Sequence, residues 1–168
     1  ALYARAHKGI DIELHLDALF GNLTVANLNF LSLFRECILQ TQTPLGGWKV
    51  FRRAQRAFTL ARYVERTAQL AAPKIECGVF QGFSALLACK VLKALDSGFD
   101  GSGYCLCDSY EGLSSPSEGD LIYPAGPANT NKAVLSHAMG HFAVDLNTVQ
   151  ARFGDFPGLD FQKGWIPE

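Results

Sequence analysis

Hydrophobic and small residues recur every three or four positions between Phe51 and Ala72, which is the pattern of a helix with one buried face. Five arginines in this segment fall mostly on other faces and indicate a solvated face. Pro73 marks the end of this helix. Residues 1–47 are also helical in pattern, with looser periodicity, and the stretch TQTPLGGW (residues 41–48) breaks the chain after them. We therefore predict an N-terminal helical segment, residues 1–47, whose domain membership is open, followed by a main domain, residues 48–168.

The pattern then changes to short apolar runs separated by glycine. KIECGVFQG (residues 74–82) predicts a strand that enters a glycine-bearing turn, residues 84–95 predict a well-buried helix, and residues 103–107 predict a second strand. A strand, a helix and a strand in so short a span form a βαβ unit, which builds parallel sheets. The chain is therefore expected to be an α/β protein.

Downstream of this unit the sequence predicts a long loop, a helix and a third strand. The loop covers residues 111–131 and is rich in Gly, Ser, Pro and Asn, which is typical of functional lids or disordered segments. Residues 132–153 have helix-like spacing with an interruption at Gly140, and residues 159–163 read as a strand. The chain begins without Met and stops soon after this strand, so we expect a portion of a longer protein.

Composition limits the classes of partner and compartment. The 15 Lys and Arg residues against 16 Asp and Glu give a net charge of -1, so nothing in the total charge indicates nucleic acid or an anionic membrane. No apolar run approaches the roughly 20 residues of a membrane span, and no signal-peptide core is present. The five cysteines are an odd number in apolar company, which favours buried, reduced thiols and a cytoplasmic location. Cys105 and Cys107 lack further ligands at zinc spacing.

The turn at residues 76–82 and the end of the next strand carry the candidate chemistry. Glu76-x-Gly78-x-x-x-Gly82 places an acid and two glycines ahead of a helix N-terminus, where backbone N–H groups are free for a polar ligand. Asp108 ends the next strand, at the position that faces a ribose in nucleotide-binding α/β folds. The glycine spacing does not fit the dinucleotide fingerprint GxGxxG, and no P-loop is present. A tight turn that only packs helix against sheet remains the alternative.

Three segments resemble the macrocin O-methyltransferase family of S-adenosylmethionine-dependent enzymes. They are IECGVFQGFSALLACKVL, the DSYEGL that begins at Asp108, and the KGW that begins at Lys163. The resemblance covers roughly residues 50–168 and implies a Rossmann-like methyltransferase sheet, of which the chain holds the first three strands. Departures from the family are Gln81 and Phe83, where many relatives have Arg and Gly, and Phe83 narrows the turn.

The resemblance implies a role for each matching residue. Glu76 and Gly78 would line the methionine end of the cofactor, with Val79 and Phe80 in the same turn. Gly82 and Ser84 would shape the turn and the helix start. Asp108 would hold the ribose hydroxyls beside Ser109 and Tyr110, and Gly164 and Trp165 would lie near the adenine. The loop from Glu111 to Asn131 would fold over the site.

The function implied is methyl transfer from S-adenosylmethionine to a hydroxyl of a small molecule, such as a sugar of a natural product or glycan. The family's acidic residues for a divalent metal such as Mg2+ would lie beyond Glu168, so no catalytic residue or metal ligand is assigned. His137 and His141 lack the Glu of the metal-binding motif HExxH, so we expect them to lie on a helix surface. A nicotinamide-dependent oxidoreductase and a non-catalytic α/β binding module remain alternatives, and an unpaired sheet edge leaves a homo-oligomer open.

Overall fold

A three-stranded parallel sheet organises the computed structural model, which describes residues 11–44, 47, 49–117, 121–122, 134–135 and 138–165. The helices are α1 (Ile12–Phe20), α2 (Phe30–Thr41), α3 (Lys49–Thr67), α4 (Phe83–Leu95) and α5 (Leu146–Gln150), and α5 runs into a 3-10 turn, Ala151–Phe153. The strands are β1 (Thr24–Val25), β2 (Leu28–Asn29), β3 (Lys74–Cys77), β4 (Tyr104–Asp108), β5 (Leu121–Ile122), β6 (Val134–Leu135) and β7 (Asp160–Lys163).

The parallel sheet has the order β3-β4-β7. Glu76 pairs with Leu106, and Leu106 pairs with Phe161. Two further pairs of strands, β1 with β2 and β5 with β6, are short antiparallel ladders. The expected α/β class is therefore confirmed at the level of a mixed fold with a three-stranded parallel sheet.

One face of this sheet is covered and the opposite face is exposed. On the covered face, Ser84 of α4 donates a hydrogen bond to Glu76, and Phe153 packs edge-on against Phe161 with ring centroids 5.8 Å apart. On the opposite face, Ile75 is 65% exposed and Cys77 is also exposed. Strand β3 therefore turns its carboxylate toward a helix and its isoleucine toward solvent.

The long helix α3 matches the pattern seen in the sequence, although it is shorter at its C-terminal end than predicted. Its buried positions, Val50, Ala54, Ala57 and Ala61, lie on one face, and α3 packs against α4. Small side chains at these positions let the two helices approach closely. The helix ends at Thr67, and residues 68–72 form a turn ahead of β3.

The N-terminal segment shares its core with the rest of the chain. Phe30 packs edge-on against Phe58 of α3 at 5.0 Å, and Phe34 packs edge-on against Phe83 of α4 at 5.7 Å. Arg35 of α2 pairs with Glu13 of α1 at 2.6 Å. The break in the helical pattern near residue 47 is therefore not a boundary between separate cores, because the helices on both sides bury one common set of side chains.

Two local predictions need correction. The segment 132–153 is expected to be helical with an interruption at Gly140, but among its described residues only Leu146–Phe153 is helical, and Val134–Leu135 is a strand. The reason is a long-range backbone pairing at Gly140, described below. The N-terminal segment also contains the β1–β2 ladder, whose turn places Ala26 and Asn27 at positive φ.

No helix among the described residues is long and apolar enough to cross a membrane.

Candidate functional site

The turn after β3 alternates between ordinary and left-handed backbone. Gly78, Phe80 and Gly82 have φ of 87°, 50° and 81°. Glycine reaches such angles without strain, whereas Phe80 requires support from its surroundings. Gly82 also has no room for a side chain, since a Cβ there would lie 2.8 Å from Cε2 of Phe153. The glycines predicted from the sequence are thus set by backbone angle and by close packing.

Asp108 supplies the support for this turn. Its Oδ2 accepts hydrogen bonds from the backbone N–H groups of Val79 at 2.6 Å and Phe80 at 3.0 Å. Its Oδ1 accepts the N–H of Tyr110 at 2.8 Å. The carboxylate at the end of β4 therefore fixes both its own strand end and the turn after β3.

Glu76 lies on the covered face of the sheet, below the turn. Ser84 donates its hydroxyl to Oε1 at 2.6 Å, and Tyr104 donates its hydroxyl to Oε2 at 3.0 Å. Burial raises the pKa of Glu76, and the two hydrogen bonds partly oppose this effect. Burial, followed by the nearby Glu76 carboxylate, also raises the pKa of Tyr104. Glu76 therefore joins β3, α4 and β4 through side chains.

The segment after β4 folds back on itself beside the site. Ser109 donates its hydroxyl to the carbonyl oxygen of Gly112 at 3.0 Å, and Tyr110 is buried at a φ of 58°. Glu111 reaches Lys163 at the end of β7, with 3.0 Å between Oε1 and Nζ. Glu111 therefore links the segment after β4 to the end of β7, which already pairs with β4 through the backbone.

Two distant segments meet at Gly112. The N–H of Leu113 donates to the carbonyl oxygen of His141, and the N–H of Gly140 donates to the carbonyl oxygen of Leu113, both at 2.9 Å. Gly112 has a φ of 80°, and a Cβ there would lie 2.6 Å from the backbone of Gly140. We call this contact the pinch. It closes the base of the chain excursion that contains β5 and β6, and it explains why no continuous helix forms through residue 140.

A cavity of about 550 Å³ lies at the carboxyl ends of the three parallel strands. Its wall includes Phe80 and Phe142, whose rings meet edge-on with centroids 5.1 Å apart. Phe142 also has a positive φ, 69°. The residues that line the cavity come from every strand end and from the pinch: Cys77, Gly78, Phe80, Asp108, Ser109, Gly112, Leu113, Phe142, Gly164 and Trp165.

The cavity brings together some of the residues predicted from the sequence. Gly78, Phe80, Asp108, Ser109, Gly164 and Trp165 line it. The others pack around it: Val79 and Gly82 are buried in the turn, Glu76 and Ser84 bond to each other below it, and Tyr110 is buried behind β4. The cofactor roles of all eleven residues stay predictions.

Sequence reasoning missed Phe142 because it lies in the segment predicted as a helix. Leu113 belongs to the DSYEGL segment, but its contribution to the wall depends on the pinch. Cys77 ends β3 next to Gly78, and strand alternation alone could have indicated that it shares the exposed face. His141 packs against Phe142 with ring centroids 4.0 Å apart, whereas His137 lies outside the described residues.

Comparison with protein-family models, with curated proteins and with solved structures gave no match. The features of the site itself are therefore what bears on function.

The cysteines and acidic groups give no sign of a metal centre within the described part of the chain, where no three His, Cys, Asp or Glu side chains are grouped to hold an ion. All five cysteines are free thiols. The expectation that all are buried is wrong for three of them: Cys77 is exposed, and Cys105 and Cys107 are partly exposed because they lie on the uncovered face of the sheet.

Proposed function

We propose that the cavity binds S-adenosylmethionine and that the protein transfers its methyl group to a hydroxyl of a small molecule. One observation carries this proposal. The three segments that resemble the macrocin O-methyltransferase family are far apart in sequence, yet residues from all three line one cavity. Ligands of open parallel sheets bind at the carboxyl ends of the strands, where this cavity lies.

The residues present fit such a ligand. A Cβ on Gly78 or Gly164 would meet nothing within 4 Å, so a ligand can lie directly against the backbone at both strand ends. Asp108 already accepts three N–H groups, and a carboxylate has about four lone-pair sites. One ribose hydroxyl can therefore donate to Asp108 without rearrangement, and a second requires the turn to release one N–H.

The aromatic side chains of the cavity supply its apolar surface. Trp165, Phe80 and Phe142 offer ring faces or edges to a flat base, and Leu113 adds an aliphatic side chain to the lining. S-adenosylmethionine supplies an electrophilic methyl group on a sulfonium. This chain's own contribution is then to align the two reactants and to exclude water, which are large effects when geometry is well fixed. No described residue is assigned as the general base.

A calorimetric titration with S-adenosylhomocysteine tests the proposal, with Gly164→Leu as the informative variant. Gly164 lines the cavity, does not have positive φ and has open space around it, so Leu should fill the site without disturbing the fold. Gly154→Leu is the matched control, since Gly154 shares both properties and lies outside the cavity lining. We expect the parent and the control to bind, and Gly164→Leu to bind about tenfold more weakly or not at all.

The alternatives give different results in the same experiment. An oxidoreductase binds NAD and not S-adenosylhomocysteine, and a non-catalytic module binds neither. Loss of binding in the Gly154→Leu control would mean that any added bulk disturbs the chain. Binding by Gly164→Leu equal to that of the parent would place the ligand outside this cavity and refute the site.

A further inference from the structure

The outer face of α3 carries a cluster of cations. Its exposed positions on that face carry four cations, two threonines and a tyrosine: Lys49, Arg52, Arg56, Thr59, Tyr63, Arg66 and Thr67. At 100° per residue these seven positions fall within about a third of the helix circumference, opposite the buried face. We call Lys49, Arg52, Arg56 and Arg66 the basic stripe.

No acidic side chain of the described residues forms an ion pair with the basic stripe. The only acid of α3, Glu65, accepts the N–H of Ala26 at 2.7 Å and pairs with Arg62. Burial lowers the pKa of Arg53, and the charge of neighbouring Arg56 lowers it further. The stripe is therefore a concentrated positive surface on a chain of net charge -1.

The spacing of these cations works against the helix. Lys49 and Arg52, and Arg52 and Arg56, are like charges three or four residues apart, and such pairs destabilise a helix. Exposed positions are free to carry almost any polar residue, so a solvated face has no need of this arrangement. A binding partner with negative charge explains why this face carries neighbouring like charges.

An aromatic groove lies beside the stripe. It has a volume of about 240 Å³ and is lined by Phe58, Thr59, Arg62, Tyr63 and Arg66. Tyr63 is 62% exposed, so much of its side chain is accessible to a flat partner. Cations next to an exposed ring are the combination that binds single-stranded nucleic acid, through phosphate contacts and base stacking.

We infer that the basic stripe and the groove at Tyr63 bind single-stranded nucleic acid. Arginine suits this partner because its planar guanidinium can make two hydrogen bonds to one phosphate. An anionic membrane fits less well, since the apolar face of α3 is buried against α4 and cannot enter a bilayer. The total charge gave no indication of this partner because it averages the stripe with acidic residues elsewhere.

The test is fluorescence anisotropy of a labelled 12-nucleotide oligothymidylate titrated with the 168-residue chain at several salt concentrations. Four phosphate contacts predict a slope of log affinity against log salt of about -3. Arg52→Gln/Arg56→Gln/Arg66→Gln should weaken binding strongly and make the slope shallower by about 2. The control Lys90→Gln/Lys93→Gln removes cations from α4 and should leave affinity within about twofold of the parent.

Tyr63 separates base stacking from charge alone. Tyr63→Ala should weaken binding by about fivefold or more with an unchanged salt slope, and Tyr63→Phe should restore it. Far-ultraviolet circular dichroism of each variant checks that α3 still forms. No binding by the folded parent refutes the inference. It is also refuted if heparin competes as well as the oligonucleotide while Tyr63→Ala has no effect, or if phosphatidylserine vesicles bind and the oligonucleotide does not.

Discussion

Asp108 holds Phe80 in a left-handed backbone conformation, with Oδ2 accepting the N–H of Phe80 at 3.0 Å. The same oxygen accepts the N–H of Val79, and the other oxygen accepts the N–H of Tyr110. One carboxylate thus fixes the turn after β3 and the end of β4. Its first function in the fold is to keep the floor of the cavity in shape, whatever ligand the cavity takes.

The first prediction concerns Asp108→Ala, which leaves three backbone N–H groups without their acceptor. Hydrogen bonds to a charged group contribute about 1.5–3 kcal/mol each, and water can replace part of that loss. We expect the free energy of unfolding in urea to fall by about 2–3 kcal/mol. Asp155→Ala is the control, because Asp155 is exposed and makes no side-chain hydrogen bond to another described residue. Equal losses in the two variants would show that Asp108 does not support the turn.

The second prediction concerns Gly82→Ala, at the start of α4. The new Cβ would meet the ring of Phe153 at 2.8 Å, and alanine at a φ of 81° adds backbone strain. Together these effects should lower the free energy of unfolding by about 2–4 kcal/mol. Gly154→Ala has open space and no positive φ, so its unfolding free energy should stay within about 0.5 kcal/mol of the parent. A Gly82→Ala protein as stable as this control would contradict the close packing of α4 on the 3-10 turn.

The third prediction concerns the pH dependence contributed by Glu76. Burial raises the pKa of this carboxyl, so the folded state favours its protonated form. The resulting stabilisation is complete below the unfolded value, about pH 4.3, and is lost as the pH rises through the folded pKa. Glu76→Gln removes this loss, so its unfolding free energy relative to the parent should increase from pH 4 to pH 8.

Chemical denaturation at pH 4, 6 and 8 measures this difference. Glu36→Gln serves as the control, since its side chain is 59% exposed. The difference in unfolding free energy between Glu36→Gln and the parent should be similar at pH 6 and at pH 8. A Glu76→Gln difference that does not change with pH would mean that Glu76 is no more easily protonated in the fold than in the unfolded chain.

The fourth prediction concerns thiol reactivity. Burial raises the pKa of Cys37 and of Cys89 to about 12, which leaves a thiolate fraction at pH 8 of about one in ten thousand. Cys77 is exposed at the end of β3. Brief treatment with iodoacetamide at pH 8 should therefore alkylate Cys77 and spare Cys37 and Cys89, as read by peptide mass spectrometry. The same treatment in urea should modify all three, and early modification of Cys37 in the folded protein would contradict its burial.

The sequence predicted the elements that depend on local pattern. The strand, turn and helix from Lys74 to Leu95 follow from an apolar run, two glycines and a second apolar run, and the structure has them within one residue of the predicted bounds. Asp108 was identified as a strand end with a site-facing carboxylate because the βαβ pattern fixes where β4 stops.

Features that depend on distant contacts could not be predicted in this way. The segment after residue 132 has helical spacing, yet the pinch diverts it through hydrogen bonds between Leu113 and the backbone of Gly140 and His141. Local sequence also does not determine which face of the sheet the helices cover, because that depends on how distant elements pack. Strand β3 exposes Ile75 and covers Glu76, the reverse of what hydrophobicity alone indicates.

The pinch also makes the wall of the cavity independent of the length of the chain between Leu113 and Gly140. Leu113 and Phe142 line the cavity next to the pinch. The chain that leaves at Leu113 returns to the same place at Gly140. Once the two ends of a loop are tied, each doubling of its length costs only about 0.6 kcal/mol. The chain between Leu113 and Gly140 should therefore tolerate changes in its length without any rebuilding of the cavity, which makes it a natural site for grafting new recognition elements.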